Sequence, residues 1–269
     1  MLVLNTIRLN FIEALPSSAL ALHKTGRRQL EPSDHTTASK EKDVFLTNVL
    51  NNATQSPLMM ELADLQADFI EDCCKSFLNK WDKTAYQILA DTQKCKRRWH
   101  SERQFRITGS RIYEIYTYNG KDWLNKSLKY FYPKTFTNKY VRHGLTHETS
   151  ARTTFVEATG LSVLQCGLVV SEGNPWLGYS PDGLVVDNNE YPEQLIEIKC
   201  PFEGATQSIG SVIQNLLYLI FEDGIYCLKQ NHKYYGQVQI GMAILNVDKC
   251  KFIIYCSYDS IMAIIDVLV

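Results

Sequence analysis

The sequence predicts an α/β (α+β) fold: a small mixed β-sheet flanked by helices, behind a helical N-terminal extension. Three observations carry that expectation. Apolar residues recur at helical spacing in residues 58–79 and again across 139–159. Three β-rich segments lie close together between residues 161 and 199. Two helical patterns and one more strand follow, an order that lays helices on a sheet.

Along the chain, residues 24–43 (KTGRRQLEPSDHTTASKEKD) are polar, charged and without period, and read as a linker or disordered stretch. Leu58, Leu62, Leu65, Phe69 and Ile70 then set a helix. Linker and helix together form an extension over residues 1–90, leaving 91–269 as the folded domain. Lys94 to His100 is a basic cluster that leads into Arg103, Arg106 and a helix from Ser110 to Tyr118. Within 139–159, Tyr140, Gly144, Glu148, Arg152 and Phe155 fall near one helical face. Leu161–Val170, Trp176–Val186 (around a Pro-Asp-Gly turn) and Leu195–Lys199 are the strand segments. Ser208–Phe221 and Tyr234–Leu245 are helical, and Lys251–Tyr255 is the last strand.

Composition narrows the function classes. The 269 residues are 45% hydrophobic, enough for a sizeable core. With 28 Lys+Arg against 29 Asp+Glu the net charge is −1, which excludes a globally basic nucleic-acid coat and leaves room for a local basic groove. The eight cysteines form no CxxC pair and mostly sit in apolar runs. They read as free buried thiols of a reducing compartment, nucleus or cytoplasm. The N-terminus lacks a compact apolar stretch behind a charged one, so it is a poor secretory signal; its basic end leaves mitochondrial import open. No apolar run reaches the roughly 18 residues of a membrane span.

Two segments carry chemistry together: Ser180-Pro-Asp-Gly183 and Glu197-Ile-Lys199, with fourteen residues between Asp182 and Glu197. Residues two apart on a strand share a face, so Glu197 and Lys199 point one way and Ile198 the other. A hairpin through Asn188–Pro192 would bring Asp182 and Glu197 together beside the lysine. Carboxylates that close repel unless a cation sits between them. A hard divalent ion, Mg2+ or Mn2+, suits such oxygen ligands, and the backbone carbonyl of Ile198 adds another. Lys199 can then orient a water nucleophile or offset charge on a phosphate. Either segment alone reads as an ordinary turn or strand; their order and pairing put the site on an equal footing with that ordinary reading. Gly144–Glu148 offers a third carboxylate, and Tyr234–Gln239 follows on another helix.

Five segments in order resemble the lambda exonuclease family, or YqaJ-type viral recombinases, of the PD-(D/E)XK nucleases: WHSER…ITGS from Trp99 to Ser110, GLTHETSAR from Gly144, GYSPDGL from Gly178, LIEIKCPF from Leu195 and YYGQVQIGM from Tyr234. The match covers roughly residues 95–260. The resemblance implies a restriction-endonuclease-like core and Mg2+-dependent hydrolysis of DNA phosphodiesters, exonucleolytic on duplex ends, in recombination or repair. It implies one or two metal ions held by Glu148, Asp182, Glu197 and the Ile198 carbonyl. It gives Lys199 as catalytic lysine, Gln237 as the glutamine after the core, Tyr234 as a tyrosine on the same face and Arg103 as an arginine at the DNA end. Arg106 of the same basic cluster and the Ser110 hydroxyl are further candidates for DNA phosphate, with Ser110 equally a helix N-cap. A homo-oligomer or a single-strand-annealing partner protein stays open. The hairpin between the two acids is longer than the family pattern, and the chain stops soon after its last strand, which puts ring-shaped trimers in doubt.

Other residues read as structural: His143 and His147 as surface histidines, Cys200 as an inert core thiol, Trp176 and Gln239 as packing. Two alternatives remain beside the exonuclease: a non-catalytic DNA-binding scaffold on a decayed nuclease fold, and an endonuclease on the same core. Retention of Glu148, Asp182, Glu197, Lys199 and Gln237 argues against decay.

Overall fold

The structure, a computed structural model, describes residues 43–66, 83–104, 106–133, 137–171 and 173–269. The linker expected at 24–43 and the later part of the helix expected at 58–79 lie almost wholly outside these residues.

Among the described residues the chain begins with α1 (Val44–Thr54), α2 (Pro57–Gln66), α3 (Ala85–Lys94), α4 (Lys96–Arg103), β1 (Ile107–Thr108), α5 (Gly109–Tyr116) and α6 (Trp123–Phe131). Three of these starts are capped by a side chain. The Asp43 carboxylate accepts from Leu46 N, Thr84 and Gln87 form a capping box, and Asp122 accepts from Asn125 N. The long helix α7 (Lys139–Thr159) begins at Asn138, whose side chain accepts from Val141 N. It ends at Gly160 with φ 69°, the left-handed stop that glycine adopts without steric penalty.

The strands sort into three sheets. β2 (Val163–Leu164), β5 (Gly183–Val186), β6 (Pro192–Lys199), β9 (Lys249–Cys256) and β10 (Ile261–Leu268) form one of five strands in the order β10-β9-β6-β5-β2. β1, β4 (Leu177–Tyr179) and β3 (Val169–Val170) form a second, in the order β1-β4-β3. β7 (Leu219–Glu222) and β8 (Ile225–Leu228) form a hairpin. In the main sheet β6 is central, antiparallel to β5 and parallel to β9. The crossover from β6 to β9 holds α8 (Ile209–Asn215), the hairpin and α9 (Lys233–Leu245). The fold is therefore the expected mixed sheet with flanking helices.

Alternation along the central strands separates two cores. Leu195, Phe252 and Ile254 face the larger one, with Val238, Met242 and Leu245 of α9 and with α1 and α2. Ile196, Ile198, Ile253 and Tyr255 face the smaller one, against Ala151 and Phe155 of α7. Glu197 thus projects to the α9 side, and Ile198 to the α7 side, as the two-residue period requires.

Several expectations change. The helix expected over Ser208–Phe221 ends at Asn215, because Leu219–Phe221 join a hairpin whose turn, Asp223 at φ 51° and Gly224 at φ 84°, is the left-handed pair that Asp-Gly favours. Lys251–Tyr255 is not the last strand: β10 pairs with it over its whole length as an antiparallel neighbour. Trp176–Val186 divides at Pro181–Asp182 into strands of different sheets. Residue 90, the expected domain boundary, lies inside α3, and Phe45, Leu46 and Val49 before it enter the same core as α9.

Candidate active site

The β5–β6 register sets Gly183 opposite Ile196, which brings Asp182 level with Ile198 and Glu197. The Asp182 Oδ2 accepts from the Ile198 N–H at 2.7 Å. A residue's N–H and C=O leave a strand on the same edge, so the Ile198 carbonyl faces that side too. Glu197 is 1% exposed and its carboxylate is held by three donors. Lys199 Nζ and Gln237 Nε2 (2.6 Å) both reach Oε1, and the Tyr179 hydroxyl donates to Oε2 at 2.8 Å. The Lys199 ammonium also lies 4.6 Å from the Tyr234 ring centroid, a cation–π contact. Asp182, Glu197, Lys199, Gln237 and Tyr234 therefore meet as the sequence suggested.

Burial alone would pull the Lys199 ammonium down, but the facing carboxylates of Glu197 and Asp182 hold it above its ordinary range. The Asp182 carboxyl is pushed well up by burial first and by the charge of Glu197 next. Lys199 and the Ile198 N–H oppose this, and Glu148 adds to it. Excess negative charge in a desolvated site is the condition a bound cation relieves.

Glu148 comes from α7, the helix that packs on the Ile196–Ile198 face, and its charge reaches Asp182. Its Oε1 takes Arg152 Nη2 at 2.7 Å, and Arg152 Nε donates to the Asp182 carbonyl at 2.9 Å. Among the described residues no three His, Cys, Asp or Glu side chains gather closely enough to hold a metal ion. The donor set fits a hard cation through Asp182, Glu197 and the Ile198 carbonyl, since Mg2+ takes one or two carboxylates and fills its shell with water. Glu148 acts on the site through its charge and through Arg152.

The basic helix α4 docks on the Ser180-Pro-Asp-Gly turn. Trp99 Nε1 donates to Ser180 Oγ at 2.9 Å, and the Arg103 guanidinium lies 4.2 Å from the Trp99 ring centroid. Arg103 also donates to the hydroxyls of Ser110 (2.9 Å), Ser180 (3.3 Å) and Thr108 (3.4 Å). Among the described residues no carboxylate forms an ion pair with it, and burial lowers its pKa to about 10, which still leaves it cationic at neutral pH. Ser110 is exposed beside it, and the N-cap of α5 is Thr108, so Ser110 is not a cap.

Arg106 does not belong with the DNA-facing residues. It is 1% exposed, and its guanidinium ties Glu102 Oε2 (2.8 Å), Glu102 O (2.6 Å) and Pro175 O (2.9 Å) into the fold. His143 is not a free surface histidine either, since its ring packs on Phe202 with centroids 5.5 Å apart. The Cys200 thiol is pushed up to about 12 by burial, as an inert core thiol would be. A cavity of about 390 Å³ lined by Thr47, Leu50, Met59, Tyr86 and Val170 among others shares no residue with this cluster.

Two members of the cluster were not singled out from sequence. Tyr179 directly precedes the Ser180 turn, and its place two positions from Leu177 on β4 is the one signal that could have pointed it at Glu197. Arg152 lay on the noted face of α7, but its partner, a backbone carbonyl thirty residues away, leaves no mark in sequence.

The sequence model of the YqaJ-like viral recombinase domain matches residues 98–248, more than half of the chain. The chain belongs to this family. All five motifs read from the sequence, Trp99 to Met242, fall within the matched span. An uncharacterized protein of Acanthamoeba polyphaga mimivirus, R354, is 27% identical over 128 residues, which is 45% of this chain and 21% of that protein. The match thus spans about a fifth of the length of that curated relative. Among solved structures, an alkaline exonuclease from Laribacter hongkongensis is 23% identical with a TM-score of 0.48, covering 64% of this chain and 81% of that one. A SOX–DNA complex is 13% identical with a TM-score of 0.40, covering 96% of this chain and 80% of that one.

Proposed function

We propose that this YqaJ-family chain is a metal-dependent deoxyribonuclease that hydrolyses phosphodiesters at duplex DNA ends, with Mg2+ or Mn2+ as its ion, in recombination or repair of a viral or mobile-element type. The observation that carries the reading is the convergence of Asp182, Glu197, Lys199 and Gln237 on one side of the β5–β6 pair.

Each residue has work that its surroundings suit. Asp182, Glu197 and the Ile198 carbonyl supply the oxygen ligands for a hard divalent cation. The cation, when bound, supplies positive charge to the scissile phosphate. Lys199 stays protonated between two carboxylates and places its ammonium where charge develops on the phosphoryl oxygens. Gln237 holds Glu197 from α9 and keeps a carbonyl oxygen for a water. Arg103, stacked on Trp99 and matched only with hydroxyls, presents a fork of donors to a phosphate. Ser110 adds a hydroxyl to the same pocket. The Tyr234 ring shields the lysine and borders the approach of the strand. Within a chain of net charge −1, DNA affinity then depends on this local group and not on overall charge.

The test uses the purified full chain with end-labelled linear duplex and closed circular DNA, in Mg2+ and in EDTA. Digestion of linear DNA alone, in Mg2+ alone, is the expected result, and Asp182→Asn should abolish it in a protein that still folds. Nicking of the circle would make the chain an endonuclease on the same core. Absence of any cleavage would make it a DNA-binding scaffold, and cleavage retained by Asp182→Asn would remove the assigned site.

A further inference from the structure

Glu197 is the most constrained carboxylate in the cluster, and two of its three donors, Gln237 and Tyr179, come from outside the acid–lysine motif. Tyr179 is 1% exposed on β4, in the smaller three-stranded sheet, and reaches across to Glu197 Oε2 at 2.8 Å. Its ring lies in a slot that two glycines make. A Cβ at Gly109 would collide with the ring carbons Cε2 and Cδ2, and a Cβ at Gly241 with Cζ and Cε2. Gly109 opens α5, and Gly241 lies on α9 one turn beyond Gln237. The sequence thus leaves two side chains out, on two different helices, to admit one aromatic ring. A phenylalanine would fill that slot equally well, so packing does not account for the hydroxyl.

We propose that Tyr179 is a positioning residue that fixes the plane of the Glu197 carboxylate, holding its remaining lone pair toward the cation. A carboxylate offers about four acceptor sites. Lys199 and Gln237 take Oε1, and Tyr179 takes Oε2, so rotation about the last side-chain bond is blocked from both ends. Partners that orient metal-binding side chains typically change affinity or activity about 10–100-fold when removed. The inference rests on the metal-dependent reading above.

The experiment reads metal binding directly. Free Mn2+ is quantified by its EPR signal against wild type, Tyr179→Phe, Gly241→Ala and the double variant, each checked for a cooperative melt. Tyr179→Phe keeps the ring and loses only the hydroxyl. Its Mn2+ affinity and kcat should both fall about 10-fold or more, with KM for DNA unchanged. Gly241→Ala should displace the ring and give a similar loss, and the double variant should be no worse than either, since both act through one contact. Tyr179→Phe with wild-type Mn2+ affinity and kcat would overturn the proposal while leaving the metal reading intact. A wild-type protein that binds no Mn2+ would overturn both.

Discussion

Asp182 shows most plainly that a residue can serve a site at the expense of the fold around it. Burial and the nearby charges of Glu197 and Glu148 raise its folded pKa well above the roughly 3.9 of an unfolded chain. The sign follows from proton counting. Between those two values the folded state binds more protons than the unfolded one, so stability is full below about pH 4 and is lost as pH rises through the folded value. Asparagine copies the protonated carboxyl in shape and can still accept from the Ile198 N–H. Metal-free Asp182→Asn should therefore melt above the wild type at neutral pH, and the gap should close as pH falls toward 4. The check is Tm measured by calorimetry in EDTA across pH 4–8. A variant that melts below wild type at pH 7–8 would mean that Asp182 is already satisfied without a cation. Divalent ion should raise the wild-type Tm and leave the variant's unchanged, because a ligand stabilises only the state that binds it.

At the scale of elements, the site depends on how rigidly β6 is backed. Glu197 and Lys199 face α9 while Ile196 and Ile198 rest on α7, where Phe155 is fully buried with Ala151, Val185 and Ile253. Phe155→Ala would open a cavity directly under β6 and should cost about 3–5 kcal/mol, read as a shift of the urea midpoint at constant slope. A loss under about 1 kcal/mol would show that α7 merely lies on the sheet. The same elements show what was legible in sequence and why. Strong period gave α7 to the residue, and the strand period gave the opposed faces of Glu197 and Ile198. The β7–β8 hairpin was missed because Leu216–Phe221 is an unbroken apolar run, ambiguous between helix and strand, and the Asp223-Gly224 turn that decides it was passed over. The burial of Arg106 is not legible in sequence because charge gives no clue to it, and two of its partners, Glu102 O and Pro175 O, are backbone atoms.

At the scale of the molecule, the helices before residue 90 are part of what holds the site together. Phe45, Leu46, Val49, Met59 and Leu62 share one core with Val238, Met242 and Leu245 of α9, the helix that carries Gln237. Their polar side chains finish the open end of that helix: Asn52 Nδ2 donates to Leu245 O at 2.9 Å and Asn246 O at 3.0 Å, and Ser56 Oγ to Ala243 O at 2.6 Å. Carbonyls at a helix C-terminus need such partners or water. Five large apolar side chains at about 1.5–3 kcal/mol each amount to on the order of 10 kcal/mol, comparable with the whole stability of a typical domain, about 5–15 kcal/mol. A fragment of residues 91–269, although it holds the family-matched span, should therefore show no cooperative thermal transition. Calorimetry on this fragment and the full chain decides the matter, since a cooperative melt of 91–269 near the full-chain Tm would make α1 and α2 peripheral to the core.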